Sequence, residues 1–155
     1  MNAQLKPQPE FRRELACEAL AREIAPLLEA HYREIAHYPD PLRVDYARYL
    51  RAEAMGQLRL FTIRVEGALV GYADFTLDKS PKYGILQASQ GDLFLLPEYR
   101  RGRVGIRFIR WCDEALKTER VMVVYQHTKI AHPAMGKVLE HLGYEPIDII
   151  WGKRL

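Results

Sequence analysis

A chain of 155 residues that is 48% hydrophobic is most simply one domain with a sizeable core. Its net charge of +3, with sixteen of twenty-three basic residues arginine, suits anionic ligands without demanding a nucleic acid. No apolar run approaches the ~20 residues of a membrane span, and MNAQLKPQPE lacks the apolar centre of a secretion signal, so a soluble cytoplasmic protein is expected.

Residues 1–9 are polar and carry Pro7 and Pro9, which reads as a flexible tail ahead of one domain over 10–155. From Phe11, the residues Phe11, Leu15, Leu20, Ile24, Leu27, Leu28 and Ile35 recur at helical intervals, with Pro26 interrupting. That pattern predicts a kinked helix or two abutting ones. A turn from His37 to Pro41 leads into a second helix, from about Leu42 or Asp45 to Met55, stopped by Gly56. Leu58–Val65 and Leu69–Leu77 then alternate around Glu66-Gly67, an antiparallel hairpin. After a basic loop through Lys79 and Lys82, short strands are predicted at Ile85–Ala88 and Leu93–Leu96. Cys17 and Cys112 each fall in a helical apolar pattern without CxxC or metal spacing, so both are expected as buried free thiols.

The stretch QGDLFLLPEYRRGRVGIRFIRWCDEALK, Gln90 to Lys117, breaks a local rule. Its apolar run ends at Pro97, and from Val104 the residues Phe108, Ile109, Trp111, Cys112, Ala115 and Leu116 take helical spacing. Arg100, Arg101 and Arg103 therefore crowd a helix start, with Gly102 and Gly105 among them. Helix N-termini carry partial positive charge and free N–H groups, which repel arginine. A bound anion held by amides and guanidinium groups removes the conflict, and phosphate fits best. A solvated basic turn is the alternative.

Beyond that helix, Val121–Tyr125 reads as a buried strand, the second of a right-handed strand-helix-strand unit. A helix from about Pro133 to Leu142, a stop at Gly143 and a last strand at Ile147–Trp151 complete the chain. The five histidines have no HExxH or finger spacing, so no metal site is expected.

Strand, Pro-Glu-Tyr-Arg turn, arginine-glycine loop and amphipathic helix together resemble motif A of the GNAT acyltransferase superfamily, with the frame running from Arg100 to Gly105. The chain is similar to small phage and bacterial members. The resemblance covers about Leu58 to Trp151, with the two leading helices in family order. It implies an α/β GNAT fold, a mixed, mostly antiparallel sheet splayed into a V and flanked by about four helices. It further implies acetyl-CoA as co-substrate, with pyrophosphate on the loop Arg100, Arg101, Gly102, Arg103, Val104, Gly105 and Ile106 and pantetheine along Leu95 and Leu96. The frame departs from the family at Arg103, where the inner glycine is displaced to Gly102. VLEHLGYEP is similar to the later family segment, and aligning on Gly143 and Tyr144 puts the family's tyrosine acid on Leu139 and its asparagine near His132.

Acyl transfer from a thioester to a primary amine needs the amine unprotonated, against a typical pKa of about 10. Asp92, at the start of the strand that the resemblance splays open, is the candidate base. Tyr125 and His127, two apart and so on one face of the next strand, are candidate acids for the leaving thiolate. His37 and Tyr38 join the leading helices, which border the acceptor pocket in GNAT proteins, and are candidate substrate contacts. The alternatives are a GNAT fold that binds acyl-CoA without turnover, or a basic nucleic-acid module, against which stands the absence of any recognition signature. The residues leave the acceptor open, and leave monomer and homodimer open too.

Overall fold

The computed structural model describes residues 7–155, so most of the expected tail, residues 1–6, lies outside the described residues. Its elements are β1 (Glu10–Glu14), α1 (Glu18–Ile35), α2 (Tyr46–Ala54), β2 (Leu58–Val65), β3 (Ala68–Lys79) and β4 (Leu86–Leu95), then α3 (Val104–Thr118), β5 (Val123–Tyr125) and α4 (Ala134–His141). The five strands lie side by side in chain order. The first three pairings are antiparallel and β4 with β5 is parallel, α3 making the crossover. This is the mixed, mostly antiparallel α/β architecture that the resemblance implies.

Alternation along the hairpin sorts its side chains between two cores. Phe61, Ile63, Phe75 and Leu77 face α3, whose Phe108, Cys112 and Leu116 recur at helical spacing and are buried against them. Leu60, Leu69, Tyr72 and Phe94 face the other way and pack on Leu20 and Leu27 of α1. The hairpin turns at Glu66 (φ 49) and Gly67 (φ 84), the left-handed pair that a two-residue turn between twisted strands requires. Arg64 is buried beneath α1, with Nε 2.9 Å from Glu14 and Nη1 2.7 Å from Glu23, tying β1 and α1 to the sheet.

The structure corrects several expectations. Phe11 begins no helix: Glu10–Glu14 pairs with β2, Phe11 opposite Ile63, and its ring lies 5.3 Å from Phe108. EFRRE carries too few apolar residues to show a strand period, and the pairing comes from tertiary contacts. The helix that follows is one continuous element through Pro26. Pro26 and Arg22 are both exposed, so the Arg22 carbonyl that loses its donor faces water. Ile85–Ala88 and Leu93–Leu96 belong to a single strand, β4, whose polar middle is accommodated by a bulge. Cys17 is exposed at the start of α1, whereas Cys112 is buried as expected. No strand forms at Ile147–Trp151; Ile147, Ile149, Ile150 and Trp151 are exposed, with no ladder partner to fix them. That segment is tied down by Arg154, which pairs with Asp40 at 3.0 Å.

Candidate active site

The site is built where β4 and β5 part. They pair at Gln87 with Val123, Ala88 with Val124 and Ser89 with Tyr125, and there the pairing stops. From Gln90 to Leu95, β4 keeps a partner only on its β3 side. The Gln90 carboxamide oxygen spans the fork, accepting the His127 N–H at 2.9 Å. The expected parallel neighbour of Val121–Tyr125 is Leu93–Leu96; the paired residues are instead Gln87–Ser89, upstream on the same strand. Leu93–Leu95 lies where the two strands have parted, the splay that the resemblance implies.

At one end of the fork lies the basic loop. Gly102 has φ +83, a conformation that side chains resist, and Arg103 precedes α3 without a side-chain cap. No acidic residue occupies the first turn, so the amides of Val104, Gly105 and Ile106 have no intrahelical acceptor. A Cβ added to Gly105 would meet nothing within 4 Å, so the loop opens outward. Arg101 and Arg103 are exposed and form no ion pair among the described residues. Arg100 has partners of its own. Its Nε donates to the Leu95 carbonyl at 2.7 Å, its Nη2 pairs with Glu34 at 2.8 Å, and it lies 5.3 Å over the Phe94 ring. It braces α1 against the end of β4. Leu95 and Leu96 are half-buried, and the Leu96 N–H bonds the Val70 carbonyl at 2.9 Å.

On the α1 face, a cleft of about 450 Å³ lies between α1, α2, residues 42–45 and the sheet. Its floor carries Asp74, Thr76, Gly91 and Asp92, and its walls include His31, Arg43, Arg48 and Tyr49. A smaller apolar pocket of about 60 Å³ adjoins it and shares both aspartates. Asp92 Oδ1 stands 3.5 Å from His31 Nδ1, and the Tyr72 hydroxyl lies 3.4 Å from the same nitrogen. His31 is buried and stacked on Phe94 at 5.1 Å. Burial holds its pKa below the usual value, although Asp92 pulls the other way. The ring is therefore neutral at pH 7, and we assign its Nδ1 proton towards the carboxylate. Burial raises the Asp92 carboxyl, opposed by His31 and Lys129.

Burial first, and the neighbouring Asp92 second, push Asp74 up to about 7. The folded chain thus holds a proton that the unfolded chain releases near pH 4. Stability from this group is full below the unfolded pKa and is lost as pH rises to about 7, then level. Urea unfolding should find the native chain about 2 kcal/mol less stable at pH 8 than at pH 5 from this group, a difference that Asp74→Asn removes. An identical pH slope in both proteins would contradict the assignment.

Of the other candidates, Tyr125 is half-buried on the last paired residue of β5, at the mouth of the fork, and His127 is exposed just beyond. His37 and Tyr38 stack edge-on at 4.8 Å, with Arg154 over Tyr38, and neither lines the cleft. Leu42–Asp45 of the same connection do. Leu139 is buried in α4. His132 Nε2 lies 2.9 Å from the Glu34 carbonyl. Sequence reasoning missed His31, Asp74 and Gly91. A glycine inside a strand pattern, Gly91 before Asp92, was the one available signal, because it marks a bulge. Among the described residues no group of three or more His, Cys, Asp or Glu is placed to hold a metal, and no helix is long and apolar enough to cross a membrane.

No protein-family model matches the chain, and neither does any curated protein sequence. Solved structures do match. A ribosomal-protein-alanine N-acetyltransferase from Brucella melitensis biovar Abortus 2308 superposes with TM-score 0.73 at 16% identity, covering 96% of this chain and 99% of that one. A protein from Bacillus halodurans C-125 described as a transcriptional regulator gives 0.78 at 18% identity, covering 96% and 100%. An aminoglycoside N-acetyltransferase in complex with CoA gives 0.69 at 14%, covering 99% of each. Likeness at these identities establishes the fold, and the fold is that of the GNAT acetyltransferases.

Proposed function

We propose that the chain is an acetyl-CoA-dependent N-acyltransferase that moves an acetyl group from the CoA thioester directly to a primary amine. The observation that carries this reading is the fork between β4 and β5, with open amides at one end and a carboxylate-floored cleft on its flank. The loop fits the co-substrate. Uncapped amides, the left-handed Gly102 and two unpaired arginines are what a pyrophosphate needs. The bound CoA of the aminoglycoside N-acetyltransferase supports the same assignment.

In this reading the amine enters the cleft and gives its proton to Asp92, directly or through one water. The nitrogen then bonds to the thioester carbon as the carbon–sulfur bond breaks. The sulfur takes a proton from the Tyr125 hydroxyl, since Tyr125 stands at the mouth of the fork and is better shielded than His127, and the proton left on the new amide nitrogen passes through water to the tyrosinate. Tyr125→Phe is expected to slow thiol release by about 10-fold or more, with His127→Ala costing less. Equal rates in native and Tyr125→Phe proteins would leave proximity to a solvent-deprotonated amine as the explanation. In this reading the amine meets Leu42–Asp45, Arg48 and Tyr49, which line the cleft, in preference to His37 and Tyr38, which do not.

Calorimetry tests the loop. Arg101→Ala with Arg103→Ala should weaken CoA binding by roughly 10-fold or more, less at high salt, each charge-assisted bond being worth about 1.5–3 kcal/mol before screening. Arg100→Ala should cost less affinity and more stability, because its partners are Glu34 and Leu95. Unchanged affinity in the Arg101/Arg103 double variant would end the phosphate-loop assignment.

A further inference from the structure

Asp74 has no part in the reaction as written, yet it is the only buried carboxyl among the described residues. A carboxyl in the middle of a sheet is costly unless it is neutral or hydrogen-bonded. Asp74 meets both conditions through its neighbours on β4. Ala73 pairs with Leu93 and Phe75 with Gln90, so Asp74 alone faces two residues, Gly91 and Asp92. Such a bulge leaves an amide without its ladder acceptor, and here Asp74 Oδ1 accepts the Asp92 N–H at 2.9 Å. The other carboxyl oxygen occupies the space beside Gly91. A Cβ there would lie 2.2 Å from Asp74 Oδ2, so no residue but glycine admits this carboxyl. Asp74 and Gly91 interlock, and the residue they fix is the one whose side chain faces His31.

We propose that Asp74 is a positioning residue: seated in the notch of Gly91, it locks the bulge and carries the proton so that the single negative charge of the pair rests on Asp92. This rests on the reading of Asp92 as the base. The groups around the pair favour that division of charge. Lys129 after β5 draws negative charge to Asp92, and the neutral His31 ring of α1 turns its Nδ1 proton towards the same carboxylate. Asp74 forms no ion pair among the described residues; Tyr72 of β3 and Tyr49 of α2 adjoin it, and Arg43 and Arg48 line the cleft that it floors. As pH rises through about 7 the pair takes on a second charge, which the enclosed floor resists.

The test uses the full chain with Asp74→Asn, Asp74→Ala, Gly91→Ala and Asp92→Asn, in two readouts. The first is NMR titration of the His31 ring without ligand, the second free-thiol release from acetyl-CoA with an amine panel. Asp74→Asn keeps an oxygen for the Asp92 amide, so it should fold and retain most of the rate while losing an inflection near pH 7 in both profiles. Asp74→Ala and Gly91→Ala should lower kcat by about 10-fold or more, with the KM for acetyl-CoA little changed, and Asn should restore what Ala loses. A His31 titration that is the same in native and Asp74→Asn proteins overturns the proposal whatever the rates do. Full activity in Asp92→Asn overturns the base reading instead, and leaves the His31 titration to decide this one.

Discussion

Asp92→Asn is expected to lower the rate of acyl transfer by about 10²- to 10⁴-fold while acetyl-CoA affinity stays nearly unchanged, the signature of a lost general base. The separation follows from geometry. Asp92 lies on the floor of the cleft, beside His31, whereas the open amides belong to α3 beyond Gly102. Asparagine keeps the size and the backbone amide bonded to Asp74, so the bulge should survive and only the proton acceptor is lost. A parallel loss of affinity and rate would mean that the substitution disturbs the fork. No loss in either would move the base elsewhere.

Arg64→Ala is expected to destabilise the fold by about 3 kcal/mol, the lower end for breaking a buried ion pair, since both partners are partly exposed. Arg64 bonds both oxygens of Glu14 and of Glu23, and also the Gly67 carbonyl. Burial would raise the Glu14 carboxyl, but hydrogen bonds from Arg64 and Thr62 hold it below the usual range. Without the guanidinium those carboxylates face each other, and β1 and α1 lose their common anchor. Arg64→Lys should recover only part of the loss, because an ammonium cannot serve two carboxylates in one plane. A loss under about 1 kcal/mol in chemical unfolding would show the network to be ornamental.

The parts of the fold that were legible are those with a strong local period. The β2–β3 hairpin, α2, α3 and the parallel β4–β5 pair all follow from apolar spacing and from turn residues such as Glu66-Gly67. β1 was hidden because Phe11 is its main buried contact and the rest of EFRRE is charged, so its pairing depends on β2, some fifty residues away. The last strand failed for the opposite reason. Ile147 to Trp151 have the residues of a strand, but they stay exposed and unpaired although β5 leaves one edge of the sheet free, and spacing along one chain does not tell which edges are taken up. At the site, the basic loop was visible because arginines at a helix start break an electrostatic rule. Its division of labour was not, since only packing shows that Arg100 is taken by Glu34 while Arg101 and Arg103 stay open. The cleft was half visible. Asp92 was found through the strand that carries it, while His31 and Asp74 reach the same cleft from α1 and β3, a convergence that no local pattern encodes.

Transfer of an acetyl group at this fork is measured directly as thiol release from acetyl-CoA by the purified chain across a panel of primary amines, with mass analysis of the amines. Thiol release is expected to depend on an added amine, to fall in Asp92→Asn, and to yield an amine heavier by one acetyl group. CoA bound on the Arg101 to Ile106 loop with no amine-dependent thiol release above background would contradict it, and would make the chain a binder of the same ligand.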